Sequence, residues 1–187
     1  LSPGYDERGL YSIAFHPAYA ANGRVFVYYS APLRAGGPIG WSCTNRLSEF
    51  RVSPMDTNRI DPSTEKVLLE VDKPSMNHNG GVLLFGPDDG FLYLTLGDGG
   101  GADDTGTGHT PGAGNARDMT KLHGKVIRID VDAAGNGRQY GIPADNPFVG
   151  NSSIPPEIYA SGFRNPAYAT FDTAGSHRMF IASAGQR

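Results

Sequence analysis

The chain has 187 residues, 39% of them hydrophobic and 10% aromatic, with a net charge of −3. That is enough length and apolar content for one sizeable core, which excludes a disordered chain. The acidic balance excludes a basic footprint for nucleic acid or an anionic membrane surface, and no apolar run reaches membrane-spanning length.

Gly 26 and Pro 14 are high counts, as expected of many short strands joined by tight turns. The sequence opens on Leu1 rather than Met, with no signal peptide in view, so removal of an upstream segment is an expectation. Cys43 stands alone and is read as a buried, inert thiol or one paired outside this segment.

In chain order, residues 11–15 and 25–29 are apolar and β-branched runs separated by His16-Pro17 and Asn22-Gly23, a first hairpin. A Gly/Pro-rich loop over 32–40 leads to residues 46–52, whose polar/apolar alternation predicts a half-exposed strand. Asp61-Pro62 is expected to turn the chain into a partner strand at 67–71. The next hairpin has strands at 82–85 and 91–96 around a Gly-Pro-Asp-Asp-Gly turn, with Asn77-His78-Asn79 directly ahead of it and a glycine-rich loop behind. Residues 125–131 alternate cleanly and are expected to pair with 157–160. The last pair is 167–171 with 179–182. Residues 115–122 are the one place where a turn or two of helix is expected.

Three of these hairpins share a pattern. Each has an aromatic residue before a turn, then a run of apolar residues: Phe15 with 23–27, Phe85 with 90–94, and Phe171 with 178–182. A more polar hairpin lies between each pair. An apolar inner pair alternating with an amphipathic outer pair is the pattern of four-stranded blades, so the fold class is all-β and the architecture a β-propeller. A Greek-key sandwich also uses many short strands, but the repeat favours the propeller. About two and a half blades are present, against the four to eight that close a ring, and an open array leaves sheet edges unpaired. Residues 1–187 are therefore expected to be one partial propeller domain of a longer chain.

Six stretches, in order, carry a resemblance. They are Asp6-Glu7-Arg8-Gly9-Leu10 through Ala14-Phe15-His16-Pro17, Asn77-His78-Asn79-Gly80-Gly81, and Leu96-Gly97-Asp98-Gly99-Gly100. The others are Gly114-Asn115-Ala116 through Gly124-Lys125 and on to Asp130, Ile142-Pro143-Ala144-Asp145-Asn146-Pro147-Phe148, and Gly162-Phe163-Arg164-Asn165-Pro166. Together they resemble the soluble glucose dehydrogenase, or glucose/sorbosone dehydrogenase, family of six-bladed propellers. That family includes the aldose sugar dehydrogenases and the hedgehog-interacting-protein-like proteins.

The resemblance implies pyrroloquinoline quinone (PQQ) and a calcium ion on the propeller axis, and oxidation of an aldose at its anomeric carbon to the lactone. By the same resemblance His78 is the general base, Arg164 faces the quinone oxygen, Asn165 hydrogen-bonds the cofactor, and Glu7 lies near the substrate. An imidazole and a permanently charged planar donor suit the first two roles. Gly185 and Gln186 fall where backbone carbonyls hold the calcium. Gln186 and Asn77 depart from the glucose enzyme's Pro and Asp, which favours the broader aldose branch. The basic residues that bind the cofactor's carboxylates fall beyond Arg187 in the family pattern. The expected partners are a sugar, an electron acceptor and the remainder of the propeller, in a periplasmic or extracellular setting.

Two rival readings stand beside this one: a non-catalytic binding propeller of the hedgehog-interacting type, and a calcium-dependent lactonase using Glu7 and Asn165. Among the other histidines, His16 reads as structural, and His109, His123 and His177 receive no role. Residues 99–114, with Asp103-Asp104, lack the EF-hand pattern and the nucleotide-binding glycine spacings and read as a solvated loop. Asn151-Ser152-Ser153 is a glycosylation sequon with no weight of its own.

Overall fold

A computed structural model describes residues 5–186. Among these residues ten strands form three sheets, each antiparallel. The first blade contains β1 (Leu10–Phe15), β2 (Arg24–Ala31), β3 (Cys43–Val52) and β4 (Ile60–Lys73), hydrogen-bonded in that order. The second contains β5 (Gly80–Phe85), β6 (Leu92–Leu96), β7 (Lys125–Ile129) and β8 (Ile158–Ser161), again in sequence order. A hairpin of β9 (Asn165–Phe171) and β10 (Met179–Ala184) begins a third. Two four-stranded blades and a hairpin match the expected two and a half.

The core is the seam between the blades. Phe26, Tyr28, Leu47, Leu68 and Val71 of the first blade pack with Leu83, Leu92, Leu94, Leu96, Ile127 and Ile129 of the second. Phe26 meets Phe85 edge-on with ring centroids 5.5 Å apart, a geometry favoured by the ring quadrupoles. On the far face of the second blade, Tyr93 contacts Tyr159 and Phe171 at 5.3 Å each. Truncating a fully buried member such as Leu94 is expected to cost about 2–5 kcal/mol.

Three expectations are corrected. Asp61 and Pro62 do not turn the chain: both lie inside β4, with Asp61 opposite Arg51. The reversal is at 53–59, where Ser53 N–H donates to the Arg59 carbonyl and Arg59 N–H to the Asp56 carbonyl. As the outer strand of its blade, β4 tolerates a proline that cannot donate. Residues 115–122 contain no helix among the described residues; the helix present is α1 (Tyr19–Asn22), closed by Gly23 in the left-handed conformation. At 115 and 116 the backbone N–H groups donate instead to the Asp104 carboxylate, at 2.7 and 2.9 Å, the kind of side-chain capture that competes with a helix. Finally, β7 is not half-exposed. All five of its residues are buried, Lys125 and Arg128 included, because the second blade is covered on both faces.

Candidate active site

The site forms where the connection from β4 reaches β5 and where β6 ends. Within the β5–β6 hairpin Gly80 pairs with Leu96. Continuing two residues outward on each side places His78 opposite Asp98, and the side chains meet: His78 Nδ1 lies 2.8 Å from Asp98 Oδ1. Both are buried, at 3% and 0% exposure. A carboxylate only accepts, and the same oxygen also receives the Gly100 N–H at 3.0 Å. Nδ1 of the neutral ring therefore carries the proton, leaving Nε2 with a bare lone pair and no protein hydrogen bond among the described residues.

His78 is held in an uncommon conformation, with φ 52°, the left-handed region in which L-residues are scarce. Three contacts fix it there. Its N–H donates to Glu7 Oε2 at 2.8 Å, its carbonyl accepts the Lys73 ammonium at 2.9 Å, and Gly97 sits against that carbonyl so closely that a Cβ would overlap it. Asn79 braces the next residue by donating to the Met76 carbonyl and accepting from Asn45 Nδ2, both at 3.0 Å.

The other expected residues converge on the same place. The Arg164 carbonyl accepts the Asp98 N–H at 2.8 Å, tying the loop before β9 to the end of β6. Arg164 Nε donates to Gln186 Oε1 at 3.0 Å, and that oxygen also accepts the Asp103 N–H at 3.0 Å. The terminal nitrogens of Arg164 form no ion pair among the described residues. Asn165 Oδ1 accepts the Gly80 N–H at 3.0 Å. Gly185 and Gln186 are exposed, directly after β10. His78, Arg164, Glu7, Asn165 and Gln186 thus form one connected network. Among the described residues no three His, Cys, Asp or Glu side chains gather to hold a metal.

Asp98 and Lys73 escaped the reading of the sequence. Asp98 lay in a stretch notable for its glycines, and the signal for it was the hairpin register that places it opposite His78. Nothing in the sequence marked Lys73. The remaining histidines have other partners: His16 is buried against Asp132, His109 against Asp104, and His123 donates its Nε2 proton to the Asp72 carbonyl at 2.9 Å. Burial, then the Lys73 charge, depresses His123 to about 3. Loop 99–114 is largely exposed, as expected, with the half-buried Asp104 accepting hydrogen bonds from Asn115 N, Ala116 N and His109 Nδ1.

The glucose/sorbosone dehydrogenase family model matches residues 5–187. The chain is 37% identical to mouse Hedgehog-interacting protein over 175 residues, 90% of this chain and 23% of that protein. It is 29% identical to an aldose sugar dehydrogenase of Escherichia coli over 165 residues, 87% of this chain and 37% of that one. The solved apo structure of the soluble E. coli aldose sugar dehydrogenase superposes with a TM-score of 0.74 at 25% identity, covering 99% of this chain and 47% of that chain. The chain therefore spans less than half the length of these relatives, and it belongs to the glucose/sorbosone dehydrogenase family.

Proposed function

We propose that this chain is the catalytic part of a PQQ-dependent aldose sugar dehydrogenase that oxidises the anomeric carbon to the lactone. The observation that carries the reading is the buried His78–Asp98 pair with Nε2 of His78 left bare. The donor set fits the reactive end of PQQ: a base and a guanidinium, Arg164, with no ion pair among the described residues, stand in one network with Asn165. When bound, PQQ supplies a quinone that accepts the hydride of the anomeric C–H. His78 Nε2 takes the proton of the anomeric hydroxyl, and Asp98 holds the ring in the tautomer that can receive it. Arg164 offers permanent charge where an oxyanion develops. Glu7 acts through the backbone, by fixing the His78 N–H. Calcium would take the backbone carbonyls of Gly185 and Gln186, hard oxygen donors of the kind it prefers. The setting proposed is periplasmic or extracellular, with an electron acceptor regenerating the cofactor.

The test is titration of the full-length protein with PQQ and calcium, followed by dye reduction across a panel of aldoses. Sugar-dependent reduction that is lost in His78→Ala while the cofactor still binds is the expected result. Bound cofactor with no reduction by any aldose would overturn the reading. A second reading has its own support, the 37% identity to Hedgehog-interacting protein over 90% of the chain: a binding propeller that presents its loops to a protein. Failure of the full-length protein to bind PQQ at all would favour it. The lactonase reading has less support, because Glu7 and Asn165 are both engaged by backbone N–H groups.

A further inference from the structure

Lys73 closes β4, and its side chain runs beneath the His78 loop. It is 1% exposed, yet its ammonium makes one good hydrogen bond, to the His78 carbonyl at 2.9 Å, and one long one, to the Gly97 carbonyl at 3.5 Å. A buried ammonium is costly unless its charge is balanced. The balance available is the Asp98 carboxylate, wholly buried, whose Oδ2 has no hydrogen-bond partner. Glu7 and the Cys43 thiol also act on Lys73 through charge, and Lys73 in turn acts on His123. Burial lowers Lys73 to about 8, with Asp98 the main opposing influence.

A base beside a buried carboxylate has a difficulty. The negative charge of Asp98 that orients the ring also favours the imidazolium, which is useless for accepting a proton. A positive charge hydrogen-bonded to the ring residue's own carbonyl opposes that tendency.

From this arrangement we infer that Lys73 is a positioning residue for His78: its buried ammonium pins the left-handed His78 backbone and offsets the Asp98 charge so that the ring stays neutral. The inference rests on the reading of His78 as the base, but its test does not require turnover. Histidine-labelled full-length protein is titrated by NMR, without cofactor, as wild type and as Lys73→Met. Loss of the positive charge is expected to raise the His78 midpoint by about one pH unit or more, whereas a merely structural lysine would leave it in place. An unchanged midpoint overturns the inference. Should Lys73→Met fail to fold, the wild type decides: the His78 ring resonances are expected to show a second inflection at the Lys73 Cε midpoint, near about 8. Absence of that inflection overturns the inference as well. In the sugar assay the acid limb of kcat/KM should move to higher pH in Lys73→Met. If no aldose is oxidised yet the His78 midpoint rises, the proposed function fails and the coupling of Lys73 to His78 stands.

Discussion

Two of the buried histidines paired with aspartates, His16 and His78, differ in what their second nitrogen does. His16 Nδ1 accepts the Ala18 N–H at 3.0 Å and is 2.9 Å from the Asn22 amide nitrogen, so its proton resides on Nε2 and points to Asp132, 3.1 Å away. Both nitrogens are engaged, and the ring works as a bracket between α1 and the loop after β7. His78 uses Nδ1 alone, and Asp98 forces the opposite tautomer. His16 thus has both ring nitrogens engaged, whereas Nε2 of His78 has no hydrogen-bond partner among the described residues.

The comparison is broken most severely at His78. His78→Ala is expected to reduce dye reduction by about 10²–10⁴-fold, the range supplied by a positioned base, while PQQ still binds. Asp98→Asn keeps an amide acceptor but removes the charge that stabilises the imidazolium as it forms, so kcat should fall by at least about tenfold with little change in KM. His16→Ala should leave both parameters alone and instead lower unfolding stability by about 1–3 kcal/mol, because Ala18 N–H and Asn22 lose a buried partner. A loss of activity in His16→Ala comparable with that of Asp98→Asn would erase the distinction.

Two lysines sharpen the same point. Lys125 is buried like Lys73 and likewise lowered to about 8 by burial, but it donates to three carbonyls, those of Asn115, Ala116 and His123, at 2.8–3.0 Å. Lys125→Met should therefore destabilise loop 99–124 and leave the His78 midpoint where it is. For both lysines the folded-state value lies below the unfolded one near 10.5. The unfolded chain then binds more protons between about 8 and 10.5, so these two groups make stability rise with pH across that window.

A further pH dependence is set by His123. Burial first, and the Lys73 charge second, hold it near about 3 against an ordinary 6.5. Its contribution is present above 6.5 and lost as pH falls towards 3, because the unfolded chain takes up the proton first. His123→Gln, which keeps a donor for the Asp72 carbonyl, should flatten denaturant stability across that interval.

The strand order was legible because the hairpins repeat and their apolar inner pairs are distinct. Polar alternation misled at β7, where Lys125 and Arg128 are buried by neighbours on both faces that local sequence does not reveal. Pro62 read as a turn because the outer position of β4, which tolerates it, is a tertiary fact. In the site, His78, Arg164, Glu7 and Asn165 were found through motifs, and they meet in space. Asp98 required counting the hairpin register, and Lys73 required the fold itself: its side chain crosses from the end of β4 to the carbonyls of His78, ahead of β5, and Gly97, after β6.

The most direct test is the protonation pattern of His78 in a long-range proton–nitrogen spectrum of histidine-labelled protein at neutral pH. The expected pattern is a proton on Nδ1 and none on Nε2, with His16 showing the reverse. A proton on His78 Nε2 would mean that the ring has no lone pair to offer a sugar hydroxyl, and would contradict its assignment as the base.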